Sequence, residues 1–372
     1  MSEIIPSPIP SIINKGRSWI AHGDNVITMS KAHKNADYLS EATIHLPPSE
    51  GTTTRGPEET NPMTITTRPD TTTRLKVKLH GGFGFTSCGN DGASNLGTTQ
   101  RYDDVADSWT GRNPATARFG PAGFSLNGFG FTSCGNDSII ELGTTERYDD
   151  VADSWTTRAT ATPREFSAGF SLNGFGFTSG GFDSVSTVGT TQRFDDVSNT
   201  WTTRTDATPR SSLAGFSLNG FGFTSCGLDN TSNDVGITER YDDVADTWTT
   251  RTLATARDGL TGFSLNGFGF TSCGFNNTSG NVTGITERFD DVANTWTDRT
   301  AATARNILAG FSLNGFGFTS CGEDNNGNAT GTTERYDDVA DTWTPRTDAT
   351  DRFGLAGFAT NEYFINFITE NI

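Results

Sequence analysis

Residues 123–135 read GFSLNGFGFTSCG and residues 143–158 read GTTERYDDVADSWTTR, and close copies of both stretches recur along the chain. Each copy of the second stretch contains one tryptophan. Successive tryptophans are 46, 46, 47, 48 and 47 residues apart: Trp109, Trp155, Trp201, Trp248, Trp296 and Trp343. A period of this length with strand-like content is typical of small sheets repeated along the chain, not of one conventional core.

Each repeat carries the pattern of four short antiparallel strands. GFSLN alternates large and small residues, with Phe124 and Leu126 on one face, and FGFTSCG alternates in the same way. Asn127–Gly128 between them is typical of a two-residue β-hairpin turn. TTERYD and WTTR predict a third and a fourth strand, and four strands in each repeat make one blade of a β-propeller. The glycines of the first two strands suit a crowded inner position.

The repeat resembles the kelch repeat over about residues 51–370. The resemblance rests on a doublet of small residues after the second strand (Cys134–Gly135, or Gly180–Gly181), on Glu-Arg-Tyr-Asp, on the tryptophan and on Thr162–Arg164. The first doublet residue is cysteine in five repeats: Cys88, Cys134, Cys226, Cys273 and Cys321. We interpret these cysteines as small buried residues. The alternative, a ring of thiols that binds a soft metal, lacks the paired spacing of such sites.

Both chain ends contribute to the predicted number of blades. Residues 352–361 repeat the first-strand pattern, residues 363–368 predict a second strand, and residues 51–74 resemble a degraded third and fourth strand with Ile65 at the tryptophan position. Joining these halves would close the ring and remove exposed sheet edges. We therefore predict an all-β, seven-bladed kelch-type β-propeller over residues 51–372, its last blade closed by N-terminal and C-terminal strands. Residues 1–50 are predicted to form an extension that anchors the propeller or binds a partner.

Charge and hydropathy exclude two classes of partner. The net charge is −17, and the five lysines lie between Lys15 and Lys78, so no basic cluster exists to neutralise nucleic-acid phosphates. No stretch approaches 18 consecutive apolar residues, which argues against membrane insertion. The first residues do not resemble a signal peptide, so we expect cytoplasmic synthesis. The final location stays open, including incorporation into a virion or a surface assembly.

Variation between the repeats concentrates on one face of the predicted propeller. The connections between strands 2 and 3 and the segments between blades differ most from repeat to repeat, and strand direction places both on the same side. We call this surface the loop face, because loops on a rigid scaffold commonly carry binding specificity. Its candidate partner-binding residues are Phe119, Glu165, Phe166, Ser211, Asp258, Asn306, Phe353, Asp137, Asp183, Asp229, Asn276 and Asp324.

The opposite face carries nearly invariant Asp-rich hairpins, such as the one with Asp149, Asp150 and Asp153. Aspartates in turns usually accept hydrogen bonds from their own backbone, and Arg147 is a nearby charge partner, so we interpret them as structural. Weak calcium binding is the alternative, although the spacing lacks the pattern of a dedicated calcium loop.

Catalysis has little support in the residue inventory. No histidine follows His80, so the complete repeats contain no imidazole base and no histidine ligand for copper or zinc. The copper oxidases that resemble kelch proteins need histidine and tyrosine ligands, which these repeats cannot supply. We expect no catalytic residue, no metal site and no cofactor.

The leading hypothesis is a non-catalytic binding or structural module that recognises a protein through the loop face, as the kelch resemblance implies. The alternative is an exposed structural, decoration or adhesion component of a virus particle, an appendage or a cell surface, with a glycan as ligand and residues 1–50 as the attachment to a larger assembly. An enzyme is the least supported hypothesis.

Overall fold

The computed structural model describes residues 82–360 in full. Outside this range it describes the backbone of five strands, four before residue 82 and one after residue 360. These strands are β1 (Trp19–Ile20), β2 (Val26–Ile27), β3 (Ala42–His45), β4 (Thr73–His80) and, at the end of the chain, β31 (Phe364–Asn371). β1 pairs with β2, and β3, β4 and β31 form a three-stranded antiparallel sheet. The rest of the predicted extension, and residues 51–72, lie outside the described residues.

Six four-stranded antiparallel sheets form the unit Gly82–Asn361, one for each repeated tryptophan. We number these blades 1 to 6 in chain order, and within each blade strand 1 is innermost. Blade 1 contains β30 (Ala356–Thr360), β5 (Phe83–Ser87), β6 (Thr99–Asp103) and β7 (Ser108–Arg112). Blade 2 contains β8 (Ala122–Leu126), β9 (Phe129–Ser133), β10 (Thr145–Asp149) and β11 (Ser154–Arg158).

The other four blades repeat this order. Blade 3 contains β12 (Ala168–Leu172), β13 (Phe175–Ser179), β14 (Thr191–Asp195) and β15 (Thr200–Arg204), and blade 4 contains β16 (Ala214–Leu218), β17 (Phe221–Ser225), β18 (Thr238–Asp242) and β19 (Thr247–Arg251). Blade 5 contains β20 (Thr261–Leu265), β21 (Phe268–Ser272), β24 (Thr286–Asp290) and β25 (Thr295–Arg299), with β22 (Phe275–Asn276) and β23 (Asn281–Val282) as a small hairpin between its second and third strands. Blade 6 contains β26 (Ala309–Leu313), β27 (Phe316–Ser320), β28 (Thr333–Asp337) and β29 (Thr342–Arg346).

The prediction of a β-propeller with four antiparallel strands per blade is confirmed, but the prediction of seven blades is wrong. β30 does not start a seventh blade; it pairs with β5 and supplies the inner strand of blade 1, with Phe358 opposite Phe85. The residues before Phe83 cannot fill that place, because they put Val77 where other blades have a glycine and Lys78 where they have a buried phenylalanine. The inner strands of the six blades then contact one another in a closed cycle.

The core lies between adjacent blades. Phe124 of blade 2 stacks on Phe131 with ring centroids 5.1 Å apart, and Phe131 meets the edge of Phe194 of blade 3 at 5.6 Å. Trp201 lies beside Phe194, and its indole N–H donates to Ala159 O of the preceding blade. The same group of aromatic side chains recurs around the ring, so each blade buries its apolar face against the next.

The Asp-rich hairpins bind arginines of the preceding blade. Asp150 of blade 2 accepts from Arg101 at 3.3 Å and from Arg112 at 2.8 Å, both in blade 1. The predicted partner within the same repeat was therefore wrong: Arg147 reaches Asp196 of blade 3. The sequence pattern could not show this, because every repeat has the same residues and the pairing partner lies one repeat further on. The first aspartate of the hairpin has the predicted local role, since Asp149 Oδ1 accepts the N–H groups of Val151 and Ala152.

Each junction between blades also buries one arginine. Arg118 is fully buried and pairs with Glu146 of the next blade. Arg210, Arg257 and Arg305 pair with glutamates in the same way, whereas Arg164 and Arg352 meet Gln192 and Gln100.

The five cysteines are buried and free, as the interpretation from sequence predicted. Each adopts a left-handed backbone conformation, with φ of 61° to 68°, and Gly180 has φ of 69° at the same position of blade 3. The tight end of strand 2 therefore explains why a glycine substitutes there. The thiol of Cys134 points toward Thr162 O, and this contact with the chain's own backbone gives the side chain a structural role.

Candidate functional site

The loop face is formed by two sets of segments that leave the same ends of the blades. In an antiparallel blade the strand 2–strand 3 connections and the crossovers to the next blade lie opposite the two hairpin turns. The connections comprise residues 88–98, 134–144, 180–190, 226–237, 273–285 and 321–332, and the crossover segments on this face comprise residues 119–121, 165–167, 211–213, 258–260, 306–308 and 353–355.

Short β-bridges join each crossover to one of these connections. The bridged pairs are Phe119 with Asn136, Glu165 with Phe182, Ser211 with Leu228, Asp258 with Phe275, Asn306 with Glu323, and Phe353 with Asn90. The structure therefore places six of the predicted site residues, one from each crossover, at equivalent positions around the propeller.

Five other predicted site residues shape the loops themselves. Asp137 Oδ1 accepts the N–H groups of Ile139 and Ile140 at 3.0 and 2.9 Å. Asp183, Asp229, Asn276 and Asp324 accept backbone N–H groups in the same way. The N–H groups of Ile140 and Ile139 also hold the pKa of Asp137 below its usual range. These side chains fix loop conformation while remaining at the surface.

The twelfth predicted residue, Phe166, belongs to a different ring. Its N–H donates to Gly120 O, and the residues at the equivalent positions are linked in the same way into a closed cycle of hydrogen bonds of 2.6–3.0 Å. We call this cycle the axial ring; its members are Gly120, Phe166, Ser212, Gly259, Ile307 and Gly354. All six have positive φ, between 49° and 66°. The ring thus accepts large side chains at positions where glycine is the least strained residue.

Below the axial ring, alternate residues of the inner strands face the axis. Strands 1 and 2 are joined by a two-residue turn with positive φ at Asn127 and Gly128, so Leu126 and Phe129 form a hydrogen-bonded pair. Gly123 and Ser125 then direct their backbone N–H and C=O groups away from strand 2. The glycines equivalent to Gly123, which we call the inner glycines, are Gly169, Gly215, Gly262, Gly310 and Gly357.

The inner glycines are required by close approach. A Cβ atom at Gly123 would lie 2.6 Å from the carbonyl oxygen of Gly357 in the neighbouring blade. One level further along the strand, Ser125 donates its hydroxyl to Ala359 O, and Ser171, Ser217, Ser264 and Ser312 each donate to the preceding blade in turn. The hydroxyl ladder has one missing step, at Ala359.

The axial ring and the inner glycines line one cavity of about 120 Å³. Every blade contributes four consecutive residues to its wall, as Gly120–Gly123 do for the junction of blades 1 and 2. No charged side chain lies among the lining residues.

Three aromatic residues of adjacent crossovers lie beside this cavity. The Phe119 ring meets Phe166 at 5.1 Å and Phe353 at 5.6 Å, both in edge-to-face geometry. All three are only half-buried. The other crossovers carry Ser211, Asp258 and Asn306 at the positions of Phe119 and Phe353, so the face is apolar on one side and polar on the other.

Two carboxyl groups of the loop face have perturbed pKa values. Burial, reinforced by the charge of Glu141, raises the pKa of Glu165 to about 7. Burial and a hydrogen bond with Asp234 raise the pKa of Asp258 well above its usual range. Asn277 bridges this second pair, because its side-chain amide lies 2.8 Å from Asp234 and 3.2 Å from Asp258. Both groups are next to residues of the axial ring in the sequence.

Every positively charged side chain between residues 82 and 360 is paired or buried within the propeller. This part of the chain has eighteen arginines and no lysine or histidine. Twelve arginines bind hairpin aspartates of the next blade, and six are buried at blade junctions with a glutamate or a glutamine. The loop face, by contrast, contains ten acidic residues and no arginine or lysine.

The axial cavity was missed at the sequence level. The recurring glycine of each first strand correctly indicated close packing. Its alternation with a serine also identifies the strand edge that faces the axis, which was not predicted from the sequence. Nothing in the sequence indicates that the crossover residues hydrogen-bond to one another around that axis.

Two kinds of feature are absent from the described residues. Between residues 82 and 360, no three His, Cys, Asp or Glu side chains are grouped so that they could hold a metal ion. No helix in the described part of the chain has the length and apolar character needed to cross a membrane.

Comparison with known proteins supports the fold. No family model matches the sequence, and no curated protein matches it. A solved structure, "Structure of YjhT", is similar, with a TM-score of 0.59 and 11% sequence identity over 72% of this chain and 98% of that chain. At this identity the similarity shows a β-propeller.

Proposed function

We propose that the chain is a non-catalytic binding module that recognises a protein partner through the loop face. The observation that carries this proposal is the ring of bridged crossovers, which gathers the residues that differ between repeats on one side of a rigid, otherwise repetitive scaffold. Binding specificity is commonly carried by such loops. The kelch type of the repeat is part of the same proposal and is supported by the motif order within each blade.

The residue inventory supports binding over catalysis. The described propeller has no imidazole, and its phenols are committed to packing and to internal hydrogen bonds: Tyr148 is fully buried and donates to Asp153 at 2.8 Å. Its hairpin carboxylates are engaged by arginines. Chemistry at the loop face would have to rely on carboxyl groups such as Glu165 and Asp258 alone.

Site-directed photocrosslinking in extracts of the source organism tests this proposal. A p-benzoylphenylalanine introduced at Phe119 samples the loop face, and one introduced at Val151, which is 69% exposed on a hairpin of the opposite face, is the matched control. We expect a discrete protein adduct from Phe119 and none from Val151. Adducts formed only from Val151, or turnover of a substrate that requires Glu165 or Asp258, would overturn the proposal.

A further inference from the structure

We propose that the axial cavity is a receptor for one cationic side chain, a lysine or an arginine, presented by a segment of the protein partner. This inference rests on the proposed function and specifies the chemistry of the partner. It joins three features: a narrow axial cavity, a wall that contains backbone carbonyl oxygens, and a loop face with acidic but no basic residues.

The dimensions of the cavity fit one linear side chain. Six residues linked in a ring form a hexagon, so each lies as far from the axis as from its neighbour, which is roughly 5 Å for hydrogen-bonded strands. The cavity volume is about 120 Å³. A cavity of roughly 150 Å³ is known to hold one benzene molecule, so this space suits a group of about that size or smaller. The end of an alkylammonium side chain is of this size, whereas a folded loop is larger.

The wall of the cavity presents hydrogen-bond acceptors. The inner glycines are half-exposed although the residues on both sides of each are buried, so their backbone reaches the cavity without a covering side chain. Their carbonyl groups point away from strand 2, and the carbonyl oxygen of Gly357 lies against Gly123 of the next blade, where both residues line the cavity. An ammonium group has three donors and no acceptor, and it would be held by such oxygens. The N–H groups at the same level could receive an anion, so the surrounding charge must decide between the two.

The surroundings favour a cation. The loop face has ten acidic residues and no basic residue, and the arginines beneath it are already paired. Such a surface attracts positive segments and repels negative ones before contact. Glu165 and Asp258 each precede a member of the axial ring, which places two carboxyl groups close to the entrance; both are ionised at pH 8, because their pKa values are raised only to about 7.

The entrance also suits the stem of a long cationic side chain. Phe166 is a member of the axial ring and lies against Phe119, so an aromatic surface borders one side of the opening. Lysine and arginine bury their methylene groups on apolar surface while keeping the charge polar, and a cation near a phenylalanine ring gains further attraction. The methylene groups of a basic side chain can therefore pack on the apolar half of the face while its charge interacts with the polar half.

Binding of matched peptides to the full-length chain tests the inference. Three peptides of the form acetyl-GSGXGSG-amide, with lysine, norleucine or glutamate at X, differ in charge at nearly constant length. Titration calorimetry at low ionic strength and pH 8 is expected to give a Kd for the lysine peptide at least tenfold below that for norleucine, with no measurable binding of the glutamate peptide. Equal binding of lysine and norleucine peptides, or no binding of any peptide, overturns the inference.

Variants of the chain locate the site. Ser212→Phe should weaken lysine-peptide binding at least tenfold by filling the entrance, and it should fold, because Phe166 already occupies the equivalent position with φ of 53° against 54° at Ser212. At pH 8, where Asp258 is ionised, Asp258→Asn should weaken binding about threefold, and Asp298→Asn, on an exposed outer strand, should leave it unchanged. Binding that survives Ser212→Phe, or a glycan that binds at this position in place of the peptide, overturns the inference.

The outcome is separable from that of the proposed function. A protein adduct from Phe119 together with no preference for lysine would retain the binding module and reject the cationic side chain. Lysine-specific binding that is lost in Ser212→Phe, with adducts only from Val151, would retain the axial receptor and reject the loop face as the main protein interface.

Discussion

The arginines buried between blades differ in one respect, the charge of the partner. Arg210 binds Glu239 at 2.6 Å, whereas Arg164 binds the neutral Gln192 at 2.9 Å. A hydrogen bond between two charged partners stabilises more than one in which only the arginine is charged, and a buried charge without a counter-charge is costly. Blades 1 and 3, which carry the glutamines, therefore have the less favourable junctions.

We predict that Gln192→Glu raises the free energy of unfolding by about 1 kcal/mol, since the arginine is already buried and charged. The reverse exchange, Glu239→Gln, is the matched control and should lower it by a similar amount. Urea denaturation of the full-length chain measures both. A decrease for Gln192→Glu would show that desolvation of the new carboxylate exceeds its attraction to Arg164.

Glu165 makes stability depend on pH. Its pKa is about 7 in the folded chain and 4.5 when unperturbed, so between these values the folded state holds a proton that the unfolded state has released. The stabilisation from this proton is complete below pH 4.5 and is lost as the pH rises through 7.

We predict that Glu165→Gln has little effect on Tm at pH 5 and raises Tm by a few degrees at pH 8, because the glutamine keeps the neutral form. Thermal unfolding at the two pH values measures the difference. A difference between variant and wild type that is the same at pH 5 and pH 8 would contradict the assignment.

At the scale of the strand, contact between neighbouring inner strands depends on the hydroxyl ladder, the serine hydroxyls that donate from one inner strand to the preceding one. Each hydroxyl satisfies a carbonyl of the preceding inner strand, and the step from blade 1 to blade 6 is missing because Ala359 has no hydroxyl. We predict that Ala359→Ser donates to Ser312 O and stabilises the fold by about 1 kcal/mol.

The control for this strand is Ser217→Ala, which removes one existing step and should destabilise by a similar amount. Chemical denaturation of both variants measures the effect. A loss of stability in Ala359→Ser would mean that the closing strand lies too close to its neighbour for a hydroxyl.

Strand-level features differ in how far the sequence could predict them. Asn127–Gly128 predicted the hairpin because its turn is local, and the alternation of Phe129 and Phe131 predicted a strand for the same reason. The pairing of Arg147 with Asp196 depends on the next blade, where an identical repeat offers the same residues, so sequence could not choose between them. Strand direction alone predicted that the twelve candidate residues share one face, whereas their division into bridge, turn and axial positions depends on contacts between blades.

For the whole propeller, the decisive element is the strand that closes the ring. Seven blades were predicted because residues 352–361 were interpreted as the start of a half-blade left over after six repeats, to be completed by residues 51–74. Comparing Val77 and Lys78 with Gly123 and Phe124 would have corrected this, since neither can occupy a crowded inner strand. The other half of the predicted seventh blade, residues 51–74, lies outside the described residues up to residue 72.

Because a strand distant in sequence closes blade 1, the same phenylalanine-to-alanine substitution should have different effects in blade 1 and in blade 3. Phe358 stacks on Phe85 at 5.2 Å and Phe170 stacks on Phe177 at 5.1 Å, so either change to alanine should cost about 3–5 kcal/mol of packing. In blade 3 a two-residue turn holds the paired strands together, whereas β30 and β5 are joined only through the rest of the propeller, which makes re-pairing entropically more expensive.

We therefore expect Phe358→Ala to increase hydrogen exchange along β30 and β5 while the other blades stay protected, and Phe170→Ala to leave the equivalent amides of β12 and β13 largely protected. Hydrogen-exchange mass spectrometry compares the two. Equal loss of protection in both variants would contradict a special role for the closing strand.

The pairing of Thr360 with Phe83 brings the two ends of the six-bladed unit side by side. A short peptide could therefore join them, and the polypeptide could be opened instead at the strand 1–strand 2 turn of another blade without changing which strands pair. Six nearly equivalent places to begin and end the chain make this propeller a natural scaffold for circular permutation, with the position of the break free to be chosen around the ring.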